Sequence, residues 1–261
     1  MKNKVLFTIM LSVLFLLITV FTFFSVFTVK HIKVDYSVLS SGGEGADKLN
    51  NILSSYKGDN LLFVDTDEVV SSLKENTYFE VVSCKKDYPN TISLTVKERR
   101  ARFTVNYLGE DFIVSSDGFV LEKSSNKTNL IKLSCAVNPS GNVFSVDGVT
   151  VGQNLKTSED EIFSKCLEII DNASLSDYIT EVSVFYTGVS GGDLLFLHTT
   201  TSGIIVIQDF TVKSVEKAVK ASASYTARDD YHKANYYLYV FEDEGSGQIK
   251  VDWSKEQRFG I

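Results

Sequence analysis

The sequence predicts an α+β protein: a single N-terminal transmembrane helix, a small unit ordered strand–helix–helix–strand–strand, and a strand-rich domain with two helices. Three observations carry this reading. Val5 to Val29 contains no charged residue. Apolar residues then recur at helical spacing in two short stretches, and alternate in the stretches on either side of them. Beyond residue 100, short alternating runs separated by turn residues predominate.

At about 1.5 Å per residue, 5–29 is long enough to cross a bilayer core as one helix. A cleavable leader would carry an apolar core of about 7–15 residues ending in small residues. This run is longer and closes on Phe-Phe-Ser-Val-Phe-Thr-Val, so an uncleaved anchor is expected. Its flanks carry similar numbers of basic residues, Lys2 and Lys4 against Lys30, His31 and Lys33. Removing Lys2 and Lys4 from the 26 basic residues leaves 24 against 33 acidic ones, a net of −9. Cationic retention does not oppose export of so acidic a domain, so residues 1–4 are expected in the cytoplasm and the bulk outside. The same acidity argues against a nucleic-acid partner.

After the span, His31–Tyr36 alternates as a strand. Leu49, Ile52, Leu53 and Tyr56 repeat as the apolar face of a helix, with Gly58 where a left-handed C-cap belongs. Asp65 and Glu68 form a capping box for a second helix, whose buried stripe is Val69, Val70 and Leu73. Strands follow at 79–85 and 91–97, joined by a turn in which Pro89 fixes φ and Asn90 tolerates the next position.

Three features of this stretch are specific in combination: a strand directly after a single span, Tyr56-Lys-Gly58 with Asn60-Leu-Leu-Phe63, and a basic-Tyr88-Pro89-Asn90-Thr-Ile turn running into Val96-Lys-Glu98-Arg99. In this order they resemble the POTRA domain of the FtsQ/DivIB bacterial cell-division family. The resemblance is close to about Asp117 and looser beyond. It implies a POTRA domain over 30–99 with Gly58, Asn60, Tyr88, Pro89, Asn90, Glu98 and Arg99 as structural motif positions. A β domain over 100–255 and a short tail, 256–261, would follow.

In that second region, strands are expected at 101–107, 112–115, 119–122, 181–186, 194–199, 204–208, 235–241 and 248–253. Ser116-Asp-Gly118 and Asn138–Gly141 read as turns. One helix begins at a Ser158/Glu161 capping box and ends near Asp171, with Cys166 on its apolar face beside Ile162, Phe163 and Ile170. Another carries Val212, Val215, Val219 and Ala223. The odd cysteine set (Cys84, Cys135 and Cys166) speaks against a disulfide framework and for structural thiols.

Chemistry is hard to find. None of His31, His198 or His232 has a His or Cys at metal-ligand spacing. No nucleophile elbow or supported Ser-x-x-Lys occurs. Asp65–Glu68 and Glu242–Glu244 lack the glycine and distal glutamate of a calcium loop. Gly42–Gly45 lacks a phosphate-cradle context. The expectation is no catalytic, metal or cofactor site, and no small-molecule substrate.

What remains is surface for partners. The final strand, close to the end of the chain, is a candidate edge for strand addition. Tyr237, Tyr239, Phe241, Ile249, Val251 and Trp253 are the candidate contacts, each equally readable as core packing. The family resemblance implies a non-catalytic divisome scaffold in the cell membrane at the septum. It would bind FtsL/DivIC (FtsB)-type coiled-coil proteins and other divisome components, and help govern septal peptidoglycan synthesis. The rival reading is an anchored extracytoplasmic enzyme or ligand-sensing domain. A secretion or outer-membrane assembly factor is weakened by the single POTRA unit.

Overall fold

The computed structural model describes residues 2–36, 46–74, 76–124, 129–135, 146–157, 160–172, 177–185 and 192–259. The chain divides into two compact units, Met1–Arg99 and Arg100–Ile261.

The first unit opens with α1 (Lys2–Val26), of which Phe7–Val26 has a mean hydropathy of 2.6 and is not buried inside the structure. Three of its hydroxyl side chains are paired within the helix: Ser12, Thr19 and Thr22 donate to carbonyls four residues back at 3.0, 2.8 and 2.7 Å. That pairing removes most of the cost of placing a hydroxyl in hydrocarbon. The helix stops at Val26, short of the expected Val29. Val29 is instead 2% exposed, inside the core of the following domain. An apolar run alone cannot distinguish a valine facing lipid from one facing protein, because both surroundings exclude water.

β1 (His31–Tyr36) follows, then α2 (Ala46–Ser54), α3 (Thr66–Lys74), β2 (Phe79–Asp87) and β3 (Thr91–Glu98). The sheet order is β1-β3-β2, with β1 parallel and β2 antiparallel to β3. Ile92, Leu94 and Val96 alternate along β3 and bury one face beneath Leu49 and Leu53 of α2 and Val69 and Leu73 of α3. Val70 is half-buried at the margin of that stripe. The Asp65 carboxylate caps α3 by accepting the Asp67 N–H at 2.9 Å. Gly58 is left-handed (φ 97°), but it does not cap α2 directly. Ser55, Tyr56 and Lys57 first tighten the chain into i→i−3 bonds, and Gly58 then turns its N–H to the Val29 carbonyl at 3.1 Å.

The second unit holds β4 (Ala101–Tyr107), β5 (Glu110–Ser115), β6 (Val120–Lys123), β7 (Ile131–Cys135), β8 (Val146–Gly148), β9 (Lys156–Thr157), α4 (Asp160–Asn172), β10 (Ile179–Phe185), β11 (Leu194–Thr199), β12 (Ile204–Gln208), α5 (Ser214–Thr226), α6 (Asp230–Asn235), β13 (Tyr237–Glu242) and β14 (Ile249–Ser254). Nine of these strands form one mixed sheet in the order β14-β13-β12-β11-β10-β7-β4-β5-β6. β7 and the short helix α6 were not expected from the sequence, nor was the small β8–β9 pair. The expected turn at Asn138–Gly141 and the Ser158 cap lie outside the described residues.

Helices α4 and α5 cover one face of the sheet. Phe163, Cys166, Leu167 and Ile170 pack there with Ala218, Ala221 and Tyr225 over Phe103, Leu195, Ile205 and Val240. Cys166 is fully buried and Cys84 half-buried, and neither is in a disulfide. Burial, with Asp67 nearby, raises the Cys84 thiol above its ordinary value.

The valine stripe expected to mark α5 faces outward: Val212, Val215 and Val219 are all exposed. Two stripes of this helix share helical spacing. The buried one is Ser214, Lys217, Ala218, Ala221 and Tyr225. Small alanines let the helix approach the sheet closely, and Lys217 is fully buried because its ammonium donates to the carbonyls of Gln208 and Asp209 at 2.8 and 2.6 Å. Burial lowers the Lys217 pKa while Asp209 and Glu242 oppose the shift.

This assignment gives a contrast to test. Lys217→Ala removes both ammonium–carbonyl bonds and empties a fully buried side-chain site, and is expected to cost about 2 kcal/mol or more, whereas Val219→Ser is expected to stay within about 0.5 kcal/mol. Urea-unfolding midpoints of the full-length variants measure both. Equal effects would put the wrong face of α5 inward.

Candidate functional site

β14 lies at one end of the nine-stranded sheet, so one side of its backbone ladder has no neighbour among the described strands. Its other side pairs antiparallel with β13, Tyr237 opposite Ser254 through Glu242 opposite Ile249. Side chains of directly opposed residues share a face, and this sorts the six candidate contacts into two groups. Ile249, Val251 and Trp253 lie with Leu238 and Val240 on the helix side, partly buried against α5. Tyr237, Tyr239 and Phe241 lie on the opposite, helix-free face, in a separate cluster with Leu194, Phe196 and Val206.

Neither group is a free aromatic display. The Trp253 indole N–H donates to Ser224 Oγ at 3.0 Å, and Arg228 sits 5.8 Å from its ring centroid. Tyr239 is only 3% exposed, because the segment after β14 folds back over it. Its hydroxyl accepts the Arg258 N–H at 2.9 Å and donates to the Glu256 carbonyl at 3.3 Å. The Arg258 guanidinium lies over the ring at 4.7 Å, held also by Asp252, and Phe259 packs 5.8 Å away. Burial raises the Tyr239 phenol above its ordinary value, against the opposing Arg258 charge. Arg258, Phe259 and Ser224 gave no signal in the sequence, since each matters only through a partner made near by folding.

The hairpin joining β13 to β14 is also fixed. Asp243 accepts from Lys250 Nζ at 2.5 Å and from the Ser246 hydroxyl and N–H at 2.7 and 2.9 Å. Lys250 and then Ser246 pull its carboxyl down to about 2. Lys213 adds a bond to Glu242 and one to the Gly247 carbonyl, each 2.8 Å. Between the start of α5 and this hairpin lies a groove of about 500 Å³ lined by Val215, Glu216, Val219, Lys220, Gln248 and Ile249. The exposed Val215 and Val219 therefore form one wall of a shallow apolar groove beside the open edge. Among the described residues, no group of three or more His, Cys, Asp or Glu side chains is placed to hold a metal ion. His232 is engaged with Asp229, the N-cap of α6, at 2.8–2.9 Å.

The motif positions of the first unit gather at both ends of its sheet. The Asn60 amide oxygen accepts the Leu62 N–H at 3.0 Å, closing the turn that presents Phe63. The Tyr88–Pro89 peptide is cis, and the Asn90 carbonyl accepts from Lys30 and His31 at 2.9 and 3.2 Å. Glu98 ends β3, opposite Phe79. Arg99 binds the Phe79 carbonyl at 3.1 Å and pairs with Glu80 at 3.6 Å.

Two outcomes follow from this geometry. Tyr239→Phe removes a hydroxyl that both accepts from and donates to the folded-back segment, at a cost of about 1 kcal/mol. Amide exchange of residues 256–259 is expected to speed up while β13 and β14 stay protected. The Asp243 carboxyl is depressed by folding, so its contribution is fully present above its ordinary 3.8 and is lost as pH falls toward about 2. Protection factors at 243–248, taken relative to the intrinsic exchange rate at each pH, are expected to be flat from neutrality to that window and to fall within it.

Residues 45–99 match the family model described as "POTRA domain, FtsQ-type". The chain is 30% identical over 163 residues to cell division protein DivIB of Clostridium acetobutylicum, covering 60% of this chain and 55% of that protein. It is 27% identical over 177 residues to DivIB of Clostridium botulinum, covering 68% and 65%. The chain thus spans just over half of the first relative's length and under two thirds of the second's. Among solved structures it is similar to the major extracytoplasmic domain of the trans isomer of DivIB from Geobacillus stearothermophilus. The TM-score is 0.30 at 11% identity, over 51% of this chain and 98% of that one, too low to carry a structural argument. The chain thus carries a match to an FtsQ-type POTRA domain and is similar to DivIB cell-division proteins over more than half of its length.

Proposed function

We propose that the protein is a single-pass membrane scaffold of the division machinery, with 1–4 in the cytoplasm and the POTRA and strand-rich units outside. It acts without catalysis at the septum, where it holds FtsL/DivIC (FtsB)-type coiled-coil proteins and thereby helps govern septal peptidoglycan synthesis. Similarity to DivIB supports the division role. The observation that carries the binding reading is the open ladder of β14 beside the apolar groove of Val215, Val219 and Ile249. An extended partner segment would continue the sheet, and its apolar side chains would seat in the groove. Backbone pairing makes the interaction tolerant of most side-chain changes along the edge.

Successive residues of β14 direct their N–H and C=O groups alternately toward β13 and away from it. Of Lys250→Pro and Val251→Pro, one therefore breaks the internal ladder and the other removes only an outward donor. The outward variant is expected to keep its unfolding midpoint within about 1 kcal/mol of the parent and yet lose co-purification of the coiled-coil partner from membranes. Undiminished capture by both folded variants would remove this edge as the site. Orientation is checked separately with an export-dependent reporter enzyme fused after Ile261, which is expected to be active.

A further inference from the structure

We propose that the end of the POTRA domain nearest α1 is a lipid-contacting surface, with Phe63 and Tyr88 set into the headgroup–acyl boundary of the outer leaflet. The inference rests on the reading of α1 as a membrane anchor.

Two loops converge where the chain leaves α1, and both are bonded to it through the backbone. From the 58–63 turn, Leu61 N–H donates to the Phe27 carbonyl at 2.6 Å and Gly58 N–H to the Val29 carbonyl at 3.1 Å. Val29 N–H returns a bond to the Asp59 carbonyl at 2.8 Å, and Thr28 bridges Asn60. From the 88–90 turn, the Asn90 carbonyl takes the N–H groups of Lys30 and His31. Lys86 links the loops by donating to the Leu62 carbonyl at 3.2 Å. Anything that fixes the height of α1 in a bilayer therefore fixes these loops as well.

Each loop presents one large aromatic side chain beside the helix end. Phe63 is 73% exposed with its ring 6.4 Å from Phe24, and Tyr88 is 59% exposed with its ring 6.1 Å from Phe27. These separations amount to about one helical turn. Exposed aromatics in water at this position would be unfavourable, whereas the membrane interface accepts an apolar ring and, for Tyr88, a polar tip. The backbone bonds just described meet the other requirement of that region, since they leave fewer peptide groups in need of water. Exposed charges nearby are mixed, with Lys30 and Lys57 against Asp59 and Asp87. The contact is accordingly apolar in character and does not require anionic lipid.

Depth-dependent quenching tests this with the full chain in phosphatidylcholine vesicles. Trp253→Phe removes the single native tryptophan, and one tryptophan is then introduced per variant: Phe63→Trp, Tyr88→Trp, Phe15→Trp within the span, or Val82→Trp as a reference. Val82 is also exposed but lies about 20 Å from Tyr88 along β2. Phe63→Trp and Tyr88→Trp are expected to be quenched several-fold more strongly than Val82→Trp by a nitroxide near the headgroup. Their emission should be blue-shifted from that of Val82→Trp. Phe15→Trp is expected to respond to a nitroxide deep in the acyl chain. Phe63→Trp and Tyr88→Trp matching Val82→Trp, with Phe15→Trp still quenched, would overturn the lipid contact alone and leave these rings for a protein partner. An unquenched Phe15→Trp would overturn the anchor and the contact together. The two loop positions report independently, so misfolding of one variant leaves the other to decide.

Discussion

The first unit depends on how its backbone leaves an apolar helix. Inside α1 each peptide group is satisfied four residues away, but after the bond from Phe27 N–H to the Phe23 carbonyl that arrangement ends, and the following N–H and C=O groups need other partners. The 58–61 and 88–90 turns supply them, at Phe27, Val29, Lys30 and His31. The same bonds draw Val29 into the POTRA core and set the start of β1 opposite Thr91. Gly58 is required here for its left-handed φ, which points its N–H back to the emerging strand. A basic, proline-bearing turn in a chain with only two prolines thus has a structural office: it receives the chain as it leaves the apolar helix.

The second unit answers a different constraint. A nine-stranded open sheet has two end strands and two faces, and helices α4 and α5 cover only one face. Toward β14 the other face is closed by aromatic packing and the folded-back segment at 256–259. The middle of that face is polar, where Lys132 pairs with Glu181 across β7 and β10. The strand ladder at β14 has no such covering among the described elements, and its hairpin is held firm by Asp243 and Lys213. Firm geometry with an unpaired ladder is the combination that strand addition needs, since a mobile edge would have to be ordered on binding.

Much of this was legible in the residues. Strands at 194–199 and 204–208 were bounded correctly because each is a short apolar run flanked by turn residues. The two POTRA helices followed from helical spacing of leucines and valines, and the resemblance to FtsQ/DivIB proteins followed from the Tyr-Pro-Asn turn and its neighbours. Less legible were β7 and α6, which are short and carry no strong period or cap beyond Asp229. The valines marked α5 as a helix but not its buried face, because hydropathy ranks valine above alanine and lysine, whereas close packing and two carbonyl acceptors favoured the latter.

The sequence by itself determined the order of the main elements, the apolar N-terminal helix and the resemblance to FtsQ/DivIB proteins, because these rest on local periodicity and on short motifs whose residues are neighbours in the chain. Tertiary structure alone decided where α1 ends, which stripe of α5 is buried, and how the six edge candidates divide between two faces of one hairpin. Those outcomes turn on partners far apart in sequence: Val29 with Asp59, Lys217 with Gln208, Trp253 with Ser224, Tyr239 with Arg258. A side chain's surroundings, and not its own polarity, set the free energy of burying it. Those surroundings exist only once the strands have taken their places.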